Sequence, residues 1–74
     1  MKRYHDLSGT SGVTGYAIKP DAIDVQFDGG TVYTYTYASA GRQRVEHMKR
    51  LARSGAGLST YISREVRDAY AAKV

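Results

Sequence analysis

Ile23-Asp24-Val25-Gln26-Phe27-Asp28-Gly29-Gly30-Thr31-Val32-Tyr33-Thr34-Tyr35-Thr36-Tyr37 is the stretch on which the fold turns. On both sides of Asp28-Gly29-Gly30 large apolar residues alternate with polar ones. Period-two alternation interrupted by glycines is the pattern of a β-hairpin. Loop length then sets the register. A three-residue loop with Gly30 in the left-handed conformation sets Phe27 opposite Thr31, Val25 opposite Tyr33 and Ile23 opposite Tyr35. One face is then apolar and aromatic, the other Asp24, Gln26, Val32, Thr34 and Thr36. A two-residue Gly29-Gly30 turn pairs Phe27 with Val32 and Val25 with Thr34, and turns the tyrosines outward. A half-buried sheet favours the register that separates polar from apolar more cleanly, which is the first.

Upstream, Val13 to Ile18 reads as a short strand with Tyr16 and Ile18 on one side. Gly15 within it marks a bulge or a close backbone approach. Lys19-Pro20-Asp21-Ala22 is a turn, with proline presetting φ. Residues 1–12 are polar and small, and are expected to be a flexible segment, loosest from Ser8 to Gly12, from which Tyr4 and Leu7 can still dock.

Downstream the period changes. Val45, Met48, Leu51 and Ala52 recur at helical spacing, so a first helix is expected from about Ala40 to Arg53, with Ser39 as N-cap and Gly55 closing the C-terminus. After Ala56-Gly57, Ser59 or Thr60 caps a second helix with Leu58 leading the stripe Ile62, Val66, Ala69 and Tyr70. The expected class is α+β: a three-stranded antiparallel meander followed by two helices packed on one face, β-β-β-α-α.

At 74 residues and 42% hydrophobic content this is one small domain, spanning residues 13–74. Chains of this size bury roughly 60% of the surface their unfolded form exposes, so a homodimer is one way to add burial. Cysteine is absent, which removes disulfides and thiolate metal sites. No apolar run is long enough for a transmembrane helix, and no hydrophobic segment follows Met1-Lys2-Arg3, so neither membrane nor secretory signal is expected and a cytoplasmic location is.

Tyr16 after Gly15, the alternating Val25 and Phe27, Gly30, the Tyr33-Thr34-Tyr35 triplet, and Ala52, Ser54, Gly57 and Ile62 in the helical half resemble the KTSC family. The resemblance covers Val13 to Tyr70. It departs from the family pattern at Ala38-Ser39, where Val-Pro is usual, and at Leu58-Ser59, where an aromatic-Asn pair is. KTSC domains occur at the C-terminus of some lysyl-tRNA synthetases and as stand-alone bacterial or phage proteins. The resemblance implies a small accessory domain without settled function, for which RNA binding is suggested. It implies no synthetase activity, because no catalytic domain is present.

Charge points the same way. Arg42, Arg44, Lys49, Arg50 and Arg53 face a single carboxylate, Glu46, between residues 42 and 53, a local +4 that equals the formal charge of the whole chain. Such a helix face can meet phosphates by releasing condensed counterions; the plainer alternative is a solvated face opposite the apolar stripe. Seven tyrosines in so short a chain offer stacking surfaces for unpaired bases, with Tyr33, Tyr35 and Tyr37 first in line. The favoured register instead sends Tyr33 and Tyr35 to the core. The small-residue loop from Ser54 to Thr60 offers a weaker anion site at Gly55 and Gly57, with Arg64 nearby. It lacks the lysine of a nucleotide-binding loop and does not follow a strand.

No metal or cofactor is expected, since His5 and His47 lack sequence-local co-ligands. No serine sits in a nucleophile elbow and the carboxylates Asp21, Asp24 and Asp28 are scattered, so the chain is expected not to be an enzyme. The leading expectation is RNA binding. The competing one is a protein-interaction or self-assembling module, with the basic helix on an acidic protein partner.

Overall fold

The computed structural model describes residues 1–9 and 11–74. Its centre is the hairpin of β3 (Ala22–Phe27) and β4 (Val32–Thr36), with Val25 paired to Tyr33 and Ile23 to Tyr35. Phe27 N–H donates to the Thr31 carbonyl at 2.9 Å and Gly30 N–H to the Phe27 carbonyl at 3.0 Å, closing the three-residue loop. Gly29 and Gly30 both have positive φ, 88° and 90°, which only glycine holds without strain. Val25 and Ile23 are fully buried and Tyr35 is 1% exposed, so the aromatic face is the core face. Opposite it, Asp24 ion-pairs with Lys19 at 3.0 Å and accepts from Thr34 Oγ1 at 2.6 Å.

β2 (Val13–Lys19) runs antiparallel to β3 and turns into it at Pro20-Asp21. Its pairing shifts between Val13 and Gly15, so the glycine does mark a bulge. A Cβ on Gly15 would stand 3.1 Å from the Lys2 carbonyl oxygen, because another strand crosses there. That strand is β1 (Lys2–Arg3), paired to β2 at Tyr16 and Gly15. Tyr4 beside it is 3% exposed, whereas Leu7 stays 73% exposed, so of the two only Tyr4 docks fully. Leu7 N–H nevertheless donates to the Gly55 carbonyl at 2.8 Å, tying the segment to the helical layer.

The helical half departs from the expected pair of helices. The chain leaves β4 into a single turn, α1 (Tyr37–Ala40), capped by Thr36 and not by Ser39. Thr36 Oγ1 accepts from Ser39 N–H at 3.0 Å while Ser39 Oγ accepts from Thr36 N–H at 3.0 Å. Ser39 is thus the return half of a capping box. Gly41 at φ 98° then breaks the helix before α2 (Arg42–Ser54). Gly55, in the left-handed region, ends α2 as expected by donating to the Ala52 and Leu51 carbonyls.

The second helix begins at Leu58 instead of after a Ser59 or Thr60 cap, and it does not run to Tyr70. α3 (Leu58–Tyr61) widens into a π-helical turn over Ile62–Val66, and Arg67 at φ 26° stops it. Ile62 and Val66 are buried as the stripe requires. Tyr70 leaves the helix and packs edge-on against Tyr33 and Tyr35, with centroids 5.0 and 6.3 Å apart. Tyr35 Oη donates to the Arg67 carbonyl at 3.2 Å, anchoring this exit to the sheet. The chain end then adds β5 (Ala72–Lys73) beside β4.

Among the described residues the sheet therefore has five strands in the order β1-β2-β3-β4-β5, not three. Both added strands are two residues long and too short to carry a period-two signal. The class is α+β with an antiparallel sheet and a helical layer. Val45, Met48, Ala52, Leu58, Ile62 and Val66 close over Tyr16, Ile23, Val25 and Tyr35 in one core. No helix among the described residues is long and apolar enough to cross a membrane.

Candidate nucleic-acid interface

α2 presents its residues by angle. Val45, Met48 and Ala52 are buried, which leaves Arg42, Arg44 and Arg50 on the exposed side. These three guanidinium groups line one open groove of about 770 Å³ between α2 and the α3 segment. Its aromatic wall is His47 and Tyr61, whose rings lie tilted at 36° with centroids 4.6 Å apart. Arg50 Nη2 is 3.1 Å from His47 Nδ1. A guanidinium can only donate, so in this contact Nδ1 is the acceptor.

Tyr61 is half-buried, lining the groove and packing partly against the core. Burial raises its hydroxyl pKa above the ordinary 10.0 and the Glu65 carboxylate adds to this, while Arg44 and Arg50 pull it down. Three arginines beside a tilted aromatic pair, with Glu46 and Glu65 on the same lining, can meet a planar ligand that carries phosphate.

Glu46, the acidic residue within α2, is already engaged. Its Oε2 accepts from Lys49 Nζ at 2.7 Å and from Tyr37 Oη at 2.6 Å. These two donors, Lys49 first, hold its carboxyl below the usual range, and the same bond to Glu46 pushes the Tyr37 hydroxyl up.

Of the basic residues singled out by sequence, Arg42, Arg44 and Arg50 are brought together, and Arg53 is exposed further along α2, outside the groove. Lys49 is corrected out of the set. It is 4% exposed, and besides Glu46 it donates to the Pro20 carbonyl at 3.2 Å, so its charge clamps α2 to the β2–β3 turn. Its stem borders the apolar stripe, and burial of the ammonium is possible because both partners are in place.

The tyrosines are redistributed as well. Tyr35 is sealed in the core, and Tyr33 packs edge-on against Phe27 at 5.4 Å and Tyr70 at 5.0 Å, with the Lys73 ammonium 5.5 Å from its ring centre. Tyr37 is half-buried, with Arg42 and Lys49 at 6.0 and 5.5 Å from its ring. None of the three offers an open platform. The loop site also closes: Gly55 is buried beneath His5 and Leu7, and the first amide of α3, Leu58 N–H, donates to Tyr4 Oη at 3.3 Å. Gly57 and Arg64 are exposed beyond it.

Sequence reasoning considered His47 only as a metal ligand and did not single out Tyr61, so it missed the aromatic wall. The pattern around Tyr61 does not single it out: at i+3 from Leu58 it sits on the flank of the Leu58-Ile62-Val66 stripe, and it packs partly against the core. Among the described residues no three His, Cys, Asp or Glu side chains converge to hold a metal ion. No protein-family model, curated protein or solved structure matches the chain.

Proposed function

We propose that this protein is a non-catalytic binding domain for single-stranded RNA, akin to the KTSC domains it resembles, and that the α2–α3 groove is its binding surface. The observation that carries the reading is the opening of Arg42, Arg44 and Arg50 onto the same groove as the His47–Tyr61 pair. Guanidinium groups supply attraction to phosphates without regard to sequence, and the rings supply a face on which an unpaired base stacks. Duplex RNA fits less well, because its bases are already stacked and present only their edges.

The test is fluorescence anisotropy of a labelled single-stranded RNA and a hairpin of equal length, titrated at two salt concentrations. With three phosphate contacts on a single strand, log K falls against log salt with a slope of about −2. The single strand is expected to bind more tightly than the hairpin. Absence of binding at low salt overturns the reading, and the groove's charge then belongs to an acidic protein partner.

A further inference from the structure

Two carboxylates line the groove, Glu46 and Glu65, and the one that no cation pairs among the described residues is Glu65. It is exposed, lies one turn beyond Tyr61, and lines the same hollow as Arg44 and Arg50. A carboxylate there lowers the positive potential on which the proposed function depends. In contrast to Glu46, which Lys49 and Tyr37 occupy, Glu65 forms no salt bridge among the described residues, although guanidinium groups share its groove. Its acceptor oxygens are open to a ligand.

An ionised carboxylate accepts hydrogen bonds and cannot donate. Bases differ in what they offer it. Guanine carries two adjacent donors, N1–H and the N2 amino group, at a spacing that matches two carboxylate oxygens. Adenine and cytosine place an acceptor nitrogen beside their amino group, and uracil flanks its single N3–H with two carbonyl oxygens, so each sets a lone pair against the carboxylate. Resting on the RNA reading above, we propose that Glu65 is the specificity residue of the groove and selects guanine in single-stranded RNA. The guanine stacks on Tyr61, presents its Watson–Crick edge to Glu65, and leaves its flanking phosphates to Arg44 and Arg50.

The experiment compares short labelled oligouridylates that differ at one central position, G, A, C or U, by anisotropy at low salt, with the wild type and with Glu65→Gln. Guanosine monophosphate is titrated separately as competitor. The G oligonucleotide is expected to bind at least about fivefold more tightly than the other three, the lower bound for one good bidentate pair. Glu65→Gln is expected to erase that preference while binding of the plain oligouridylate holds or improves, since a negative charge is lost. Equal binding of all four sequences, with salt dependence intact, overturns the guanine assignment and leaves the phosphate reading standing. No binding of any sequence removes both. Guanosine monophosphate binding as tightly as the oligonucleotide overturns the RNA part, because the flanking phosphates then contribute nothing. Because Glu65 is exposed, thermal unfolding of the variant is expected to match the wild type, so a lost preference reads the site and not the fold.

Discussion

Two aromatic groups share this chain and have opposite surroundings. Phe27, Tyr33, Tyr35 and Tyr70 gather where β3 and β4 meet the chain's exit from the π-helical turn, each ring edge-on to its neighbour, with Tyr35 fully sealed. His47 and Tyr61 meet at a tilt beside the arginines of the α2–α3 groove, both half-buried. The first group holds strands to helix through packing and a hydroxyl buried on the Arg67 carbonyl. The second has charge around it, and Tyr61 rests on the edge of the core. Tyrosine occurs in both; the difference lies in the charged groups that surround the second pair, and on the proposed reading this separates stability from binding.

The largest effect that tests this division is Tyr35→Ala, expected to lower unfolding free energy by about 3 to 5 kcal/mol, as deletion of a buried aromatic does. In a domain this small that brings denaturant melts close to complete unfolding. Tyr61→Ala should do the reverse, lowering stability by only about 1 kcal/mol, since the ring is half-buried, while weakening RNA binding by about 1 to 3 kcal/mol, the value of one stacked base. If Tyr61→Ala unfolds the protein, or leaves RNA affinity unchanged, the division fails.

Neighbouring cations sharpen the same contrast. Lys49→Ala strands the Pro20 carbonyl and removes a packed stem, with an expected cost of about 2 kcal/mol in stability and no change in the salt slope of RNA binding. Arg50→Ala should leave the melt in place and reduce that slope by about 0.7. A Lys49 variant that binds RNA poorly while folded would return Lys49 to the interface.

Two smaller effects read the sheet cluster by pH and by one bond. Burial, with Tyr33, Tyr70 and Asp68 nearby, pushes the Tyr35 hydroxyl pKa from 10.0 up to about 12. Folding thus favours the protonated phenol, so its contribution is complete below pH 10 and is lost as pH rises toward about 12. Alkaline titration of stability should show that decline, and Tyr35→Phe should flatten it. At neutral pH the same substitution removes the hydroxyl's bond to Arg67, with an expected loss of about 1 kcal/mol in a urea melt.

Much of the sheet was legible because its signals are local. Alternation around Asp28-Gly29-Gly30 specified the hairpin pairing, since a one-residue slip would send Tyr33 and Tyr35 to solvent. Gly15 marked its own bulge, and Gly55 marked the end of α2. The site was legible by half: Arg42, Arg44 and Arg50 stand out as a charge run, but a run does not say which cation lies at the edge of the apolar stripe. Lys49 differs from Arg50 by one position in sequence and 100° about the helix, and its partner carbonyl on Pro20 is 29 residues away.

What the sequence by itself determined is therefore what one element decides alone: strand and helix periods, turn chemistry, the register of a two-strand loop, and the presence of excess positive charge on one helix. Only the tertiary structure decided the rest. Lys2–Arg3 and Ala72–Lys73 are strands because the flanks of β2 and β4 offer unpaired amides and carbonyls to them, not because two residues prefer extended backbone. The helix after Gly57 widens and stops because Tyr70 and the Arg67 carbonyl meet Tyr33 and Tyr35. Tyr61 meets His47 because two helical segments pack at that place. Each of these depends on groups distant in sequence satisfying one another, and such pairings carry no period along the chain.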